Sequence, residues 1–484
     1  MRRLSRTFAK IWRRLTRIRR TRSTTDYTSL IPPELLADIF LYLSPNSILY
    51  PPKFTQVCSR WRSIAHSSPA LWNVLKISFP SALKTKIGAA SFKLIIAEWV
   101  SRSSSLNVDL IVHEAWAIKG RSKFRRALYD GLCKSVIMDF STKWRLLNLA
   151  HFWEGHDFFS HDLPLPNLEE LTINVHRYNI CPDLSLTQAP HLRKLNFYSE
   201  HSPTFSCLQK FIPTTAVELG LRGTSCYYGV TDDFIRGFFH CSQLQYLSRL
   251  EIDQGSSWFD THVLPSTCFP TLLSLTVRGS CYFLGDLLGV LTLPLLRQLF
   301  VTISCHRRER YPGPIVGFIL IELQKRSHFP LSLLSLNSVL EQDDWPPAMT
   351  WSDFSSFLST CSSIQELRVG STGKENAGCL MDILRYDSSE TILPRLKVFS
   401  LRGVSDFENH FVEFIRSRWW PENPQETLVG AERLEKLTFI GCKLRRETRE
   451  LLMECYRSVV EQYYMYESRQ DAFILTAEIP GKSR

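Results

Sequence analysis

The sequence has no Cys-x-x-Cys pair, although thirteen cysteines are scattered from Cys58 to Cys455. Zinc modules need paired ligands at short spacing, and disulfide frameworks belong to short secreted chains, so neither is expected. The thiols are expected to be reduced, in the cytoplasm or the nucleus. A long unbroken apolar run is also missing. The longest candidate, Phe283 to Ile303, is interrupted by Asp286, Pro294 and Arg297, which suits a helix followed by a strand and not a membrane span.

Catalytic signatures are lacking as well. No GxSxG, HExxH or Cys-His constellation stands in a recognisable context. GSTGKENAG, from Gly370, lacks the spacer and the Ser or Thr after Lys374 that a phosphate loop requires. His151, His156 and His161, with Asp157 and Asp162, recur at five-residue steps that do not converge on one helical face, so they read as a polar loop. The expectation is a non-enzyme with no catalytic residue, metal or cofactor.

Acid is absent from the first 25 positions, which hold ten of the 58 lysines and arginines. Without them the chain has 48 basic against 47 acidic residues, so its formal charge of +11 belongs to a tail. A nucleic-acid partner is not expected, because phosphate neutralisation needs Lys and Arg clustered over a binding face. Within the tail, residues 1–26, Leu4, Phe8, Ile11, Trp12, Leu15 and Ile18 recur at helical steps among arginines. That pattern is open to four readings: a membrane-surface helix, a transit peptide, a nuclear import signal or a solvated arm.

What is present begins with IPPELLADIFLYLSPNSILYPPKFTQVCSRWRSIAHSSPALWNVLKI, residues 31–77. Pro33 suits a first helical turn and Glu34 its positive end, and Leu35, Leu36, Ile39, Phe40 and Leu43 follow at helical spacing. Pro45 and Asn46 stop this helix, and Pro51-Pro52 exclude another until about Phe54. A second helix is predicted to carry Val57, Cys58, Trp61, Ile64 and Ala65 on one stripe, with Leu71 and Trp72 leading into an extended segment that ends at Ile77. Two such helices bury too little surface to stand alone, so part of their apolar face is predicted to meet a partner or the next domain.

The order Ile-Pro-Pro-Glu-Leu-Leu, Ile39-Phe40, Leu43, Val57-Cys58-Ser-Arg-Trp61 and Leu71-Trp72 resembles the F-box, here placed at residues 27–78. That family's motif is a small helical bundle that grips the Skp adaptor of Skp-cullin-F-box ubiquitin ligases. The resemblance implies adaptor contacts at Ile31, Pro32, Leu35, Leu36, Ile39, Phe40, Val57, Cys58 and Trp61. The stretch PNSILYPPKF replaces the acidic-leucine start usual in the family for the next helix.

After this module one pattern recurs: a turn, often with proline, then Leu-x-x-Leu-x-apolar. It reads PNLEELTI from Pro166, PHLRKLNF from Pro190, PTLLSLTV from Pro270, PLLRQLFV from Pro294 and PRLKVFSL from Pro394, with variants lacking the proline. Alternation predicts strands, and the fixed register predicts repeats. The anchors Leu168, Leu192, Leu247, Leu272 and Leu296 include steps of 24 or 25 residues; Leu331, Ile364, Leu396 and Leu434 follow at 32 to 38, which leaves room for a helix between strands. Few copies carry the Asn or Cys of the full leucine-rich consensus, so the turns are predicted to be poorly satisfied. Glu169, Glu170, Thr172, Arg193, Lys194, Asn196, Glu435, Lys436 and Thr438 are expected on the open face of the sheet or its rim.

The fold class expected is therefore α/β: a small all-helical module followed by an irregular leucine-rich-repeat-like solenoid over 151–444. Residues 79–150 are read as connector and first solenoid units, and 445–484 as a capping helix and tail. A helix carrying Phe92, Ile95, Ile96 and Trp99 and a strand in LNVDLIV open the connector, which resembles that of the large fungal F-box family. Together these features imply a substrate-recognition subunit whose partners are the Skp adaptor, cullin through it, and an unknown protein target. The alternative is a non-degradative interaction scaffold, membrane-associated through the basic tail.

Overall fold

A computed structural model describes residues 30–43, 50–78, 86–113, 135–152, 164–175, 189–199, 214–223, 242, 244–254, 266–303, 316–337, 350–370, 376–385, 391–403, 408–419, 431–432, 434–440, 450 and 474–475. The basic tail, the loop Ser371–Glu375, the polar run beyond Phe152 and nearly all of the expected capping helix lie outside them.

The module opens with α1, Pro33–Leu43, whose proline stands where a missing N–H costs no hydrogen bond. Next comes α2, Tyr50–Thr55. This overturns the expectation that Pro51-Pro52 exclude a helix before Phe54: both prolines occupy the first turn, where a helix tolerates them. The following helix, α3, spans Ser59–His66 and is shorter than predicted. Val57 lies in the turn before it, and Cys58 is its N-cap, with Sγ accepting from the Trp61 N–H at 3.4 Å. A 3-10 turn, Pro69–Trp72, leads into the strand β1, Val74–Ser78.

The strand β1 is the first of a 14-stranded sheet whose order follows the chain. After α4 (Lys86–Arg102) come β2 (Val108–His113), β3 (Trp144–Phe152), β4 (Glu170–Val175), β5 (Lys194–Ser199), β6 (Glu218–Gly223) and β7 (Arg249–Gln254). Then β8 (Thr267–Cys268), β9 (Ser274–Gly279), α5 (Cys281–Val290), β10 (Leu291–Thr292), β11 (Gln298–Ile303), α6 (Val316–Ser327) and β12 (Leu333–Asn337). The series closes with α7 (Trp351–Ser359), β13 (Glu366–Gly370), α8 (Asn376–Leu384), β14 (Val398–Arg402), α9 (Glu408–Trp419), β15 (Lys436–Ile440) and β16 (Ile474–Leu475). β8 and β10 pair only with each other. Every other neighbouring pair is parallel except β15 with β16, which returns antiparallel over Leu437 and Thr438 and covers that sheet edge.

Parallel strands in chain order follow from the repeat, because each unit exposes an apolar face that only its neighbours can cover. The anchors Leu168, Leu192, Leu247, Leu272 and Leu296 are buried, as are the strand leucines Leu171, Leu195, Leu250, Leu275 and Leu299. Burying one such side chain is worth about 1.5–3 kcal/mol. In the described residues the longer spacings carry helices: α6 lies between β11 and β12, and α7 between β12 and β13.

At the strand entries the turns are well satisfied, whereas the turns after the strands, where the consensus Asn or Cys belongs, lie mostly outside the described residues. A single carbonyl of one unit accepts from two successive N–H groups of the next: Arg193 O from Val217 and Glu218, Ser248 O from Leu273 and Ser274, and Lys397 O from Glu435 and Lys436. The residue just before the anchor, which in the degenerate unit of β6 is the buried Ala216, adds a side-chain donor. Thr215 reaches Leu192 O at 2.9 Å, Thr271 reaches Leu247 O at 2.9 Å and Ser363 reaches Leu331 O at 2.8 Å. A hydroxyl at the entry to a strand thus bridges neighbouring units.

The module and the first unit share one core. Trp72 donates through Nε1 to Ala65 O at 2.7 Å, and its own carbonyl accepts Trp99 Nε1 at 2.8 Å. The two rings meet edge-on at 4.9 Å, and the Arg102 guanidinium lies 4.6 Å from the Trp72 ring centre. Replacing Trp99 by Ala removes a buried aromatic and strands a buried carbonyl, a loss of about 3–5 kcal/mol. Limited proteolysis of that variant is expected to cut between module and sheet under conditions that leave the wild-type chain intact.

Candidate docking surfaces

Aromatic packing organises the module. Phe40 and Phe54 stack at 4.3 Å, and Trp61 lies 4.9 Å from Phe40, with Leu36, Ile64 and Ala65 enclosing them. Arg60, at the start of α3, donates to Ile31 O at 2.6 Å and ties that helix to the Ile31-Pro32 corner.

The nine residues singled out from the sequence divide on this core. Leu36, Phe40 and Trp61 are 2%, 0% and 9% exposed, so they hold the helices together and have almost no surface left for a partner. Ile31, Ile39 and Cys58 are half-buried, and Pro32, Leu35 and Val57 are exposed. The resemblance implied all nine, and the helical spacing that placed seven of them on apolar stripes could not say which side of each stripe would meet the other helices. Two residues it left out join the exposed set: Leu30 and Tyr42 are 76% and 64% exposed, beside Leu35 at 54% and Val57 at 44%. Exposed apolar side chains of this size make the module's outer side a candidate interaction surface.

The second surface is the open face of the sheet. Along β5, Lys194, Asn196 and Tyr198 alternate with the buried Leu195 and Phe197, and the same alternation runs through β4 and β15. Glu170, Thr172, Lys194, Asn196, Lys436 and Thr438 therefore lie on this face, while Glu169, Arg193 and Glu435 sit at the turn rim.

Charges on β4 to β9 largely offset one another. Lys194 lies 3.6 Å from Glu170 and 3.8 Å from Glu218. Asp253 takes Arg222 at 2.9 Å and Arg278 at 3.9 Å; burial pushes its carboxyl above the usual range, and the two arginines pull it back. Burial also raises the Tyr198 phenol in the same row. Nearer the module, Asp109 meets Arg145 at 2.6 Å, and burial again outweighs the arginine's pull on the carboxyl.

Nothing among the described residues gathers three or more metal-ligating side chains, and none of the described helices is long and apolar enough to cross a membrane. Gly370 ends β13 and α8 opens at Asn376, with the intervening GSTGKENAG loop residues Ser371–Glu375 outside the described residues. The histidine run also falls outside them, apart from the backbone of His151 in β3.

Residues 28–78 match the family model described as F-box-like. None of the curated proteins matches the chain significantly. Among solved structures it is similar to a crystal structure of a protein from Bacteroides fragilis, at 13% identity over 60% of this chain and 76% of that one, with a TM-score of 0.33. That likeness is distant and carries no function across. The helical module with its exposed apolar face is an F-box-like domain, followed by an irregular leucine-rich-repeat-like α/β solenoid.

Proposed function

We propose that this chain is the substrate-recognition subunit of a Skp-cullin-F-box ubiquitin ligase. The observation that carries the reading is the apolar surface that the F-box-like module leaves uncovered, centred on Leu35 and Val57. Side chains of this size, more than two-fifths exposed and one helical turn or one residue from the half-buried Ile31, Ile39 and Cys58, offer an adaptor apolar surface to cover. The adaptor contacts are then Ile31, Pro32, Leu35, Ile39, Val57 and Cys58, with Leu30 and Tyr42 at the margin. Leu36, Phe40 and Trp61 act beneath them by fixing the helices.

The open face of the sheet takes the target protein, and ubiquitin transfer belongs to other subunits. The chain itself is non-catalytic: it raises the effective concentration of the target near the transferring enzyme. The shared Trp72–Trp99 core holds the docking face and the target face in one orientation, which such a role requires. This reading puts the protein in the cytoplasm or the nucleus.

Affinity purification of the tagged full chain, followed by mass spectrometry, tests the proposal. Recovery of both a Skp adaptor and cullin is expected. Adaptor without cullin would favour a non-degradative scaffold, and absence of both would contradict the ligase reading.

A further inference from the structure

The open face changes character toward its later strands. Between β4 and β9 each close pairing joins opposite charges, but across β11 to β14 the strands supply one carboxylate, Glu366, against two guanidiniums, Arg368 and Arg402. Lys436, on β15, adds a further exposed cation.

The geometry around these cations is specific. Register places Asn337, Gly370 and Arg402 side by side on β12, β13 and β14, with Ser335 and Arg368 in the row before them. The Asn337 amide turns across the sheet, its Nδ2 within 3.5 Å of Thr302 Oγ1, so that its Oδ1 lies where a Cβ of residue 370 would stand. A larger residue at 370 would require that amide to move aside, and its Cβ would touch the Cβ of Arg402 at 3.7 Å. Ser335 is buried and small. The result is a low floor of serine, glycine and flat amide beside two arginines that rise from it.

The two arginines are not equivalent. Arg368 Nε is already held by Glu366 at 2.6 Å. Arg402 is exposed and forms no ion pair with any described residue. One uncommitted guanidinium next to a paired one matches a single negative charge. A dianionic phosphate would leave some of its charge unmatched and would face Glu366.

We propose that this floor receives a carboxylate side chain from an acidic segment of the target laid across β12 to β15, with Arg402 forming the new ion pair and Lys436 meeting a second acidic residue. The inference rests on the reading of the solenoid as the target-binding region.

The test uses the purified full chain and fluorescence anisotropy with three short labelled peptides: one rich in Asp and Glu, one with phosphoserine at the acidic positions, and one with lysine there. The acidic peptide is expected to bind, more weakly as salt is raised. Arg402→Glu is expected to weaken binding about tenfold or more, while Lys325→Glu, the same charge change on the distant helix α6, leaves it unchanged. Equal binding by Arg402→Glu and wild type, no binding of the acidic peptide, or preference for the phosphoserine or lysine peptide would each overturn the inference. Adaptor binding is measured on the same preparations. Its retention without acidic-peptide binding removes this inference alone, whereas its absence in the wild-type chain removes the reading beneath it.

Discussion

Full-length protein carrying Leu35→Asp together with Val57→Asp is expected to melt like the wild type and to lose adaptor affinity by about three decades. Both side chains are largely in solvent, at 54% and 44% exposure, and surface replacements of this kind usually move stability by about 0.5 kcal/mol or less. At a formed interface the same positions become buried, and an aspartate there would be an unpaired charge against apolar surface. Central interface side chains are worth about 2 kcal/mol or more each, and about 1.4 kcal/mol corresponds to a factor of ten. Trp61→Ala is the less informative change. It would remove the ring 4.9 Å from Phe40 and unpack the module, so lost binding would report misfolding as readily as a lost contact. Isothermal titration with purified adaptor, beside thermal melts, separates the two. Unchanged affinity in the double variant would move the docking face elsewhere.

Arg418→Met is expected to cost about 3 kcal/mol or more, because it takes the donor from three carbonyls and each such loss costs about 1–3 kcal/mol. Arg418 is fully enclosed near the end of α9. Its Nε donates to Leu384 O at 2.9 Å, Nη1 to Leu393 O at 3.0 Å, and Nη2 to Ile392 O. Leu384 is the last residue of α8, where helix carbonyls lack partners and a cation is favourable, while Leu393 is held at φ 54°, a backbone state costly for a branched side chain. The guanidinium thus closes a helix end and pins a strained turn at once. Methionine fills similar space and supplies no donor, leaving three carbonyls without it, and lysine cannot reproduce the planar fork. Because units in a repeat array depend chiefly on their neighbours, the loss should appear first as faster hydrogen exchange in β13 to β15, before β4 to β7 respond. An unchanged urea midpoint and unchanged exchange there would show that the carbonyls find other partners. On α6, the exposed Arg326 likewise caps a helix end, donating to Leu288 O at 2.8 Å and Leu291 O at 3.3 Å.

The solenoid was legible because its signal repeats. Leu192, Leu272 and Leu296 each announce a strand that begins two residues on, and the parallel order follows once every unit needs its neighbour's leucines. The turn donors were readable too, since Thr215, Thr271 and Ser363 all stand one place before an anchor, but a single hydroxyl in a turn has many uses until the preceding carbonyl is located. Arg418 gave no such signal. A long cation normally belongs to the surface, and the carbonyls that enclose Arg418 come from residues 25 to 34 positions away.

The module shows where local rules misled. Pro51-Pro52 reads as a helix breaker, yet a first turn accepts proline, so α2 fits between the two expected helices and brings Phe54 onto Phe40. That extra contact helps to enclose Leu36, Phe40 and Trp61. The proposed adaptor face is thereby narrower than the apolar stripes suggested, and it shifts toward the exposed Leu30, Leu35, Tyr42 and Val57.

Hydrogen exchange of the full chain, followed with and without purified Skp adaptor, addresses that narrowed face most directly. If the uncovered apolar surface is the docking site, adaptor should slow exchange around 30–43 and 56–58 and leave the amides of β11 to β15 as they were. Unaltered exchange in both module segments while the adaptor is bound, or protection confined to the later strands, would contradict it.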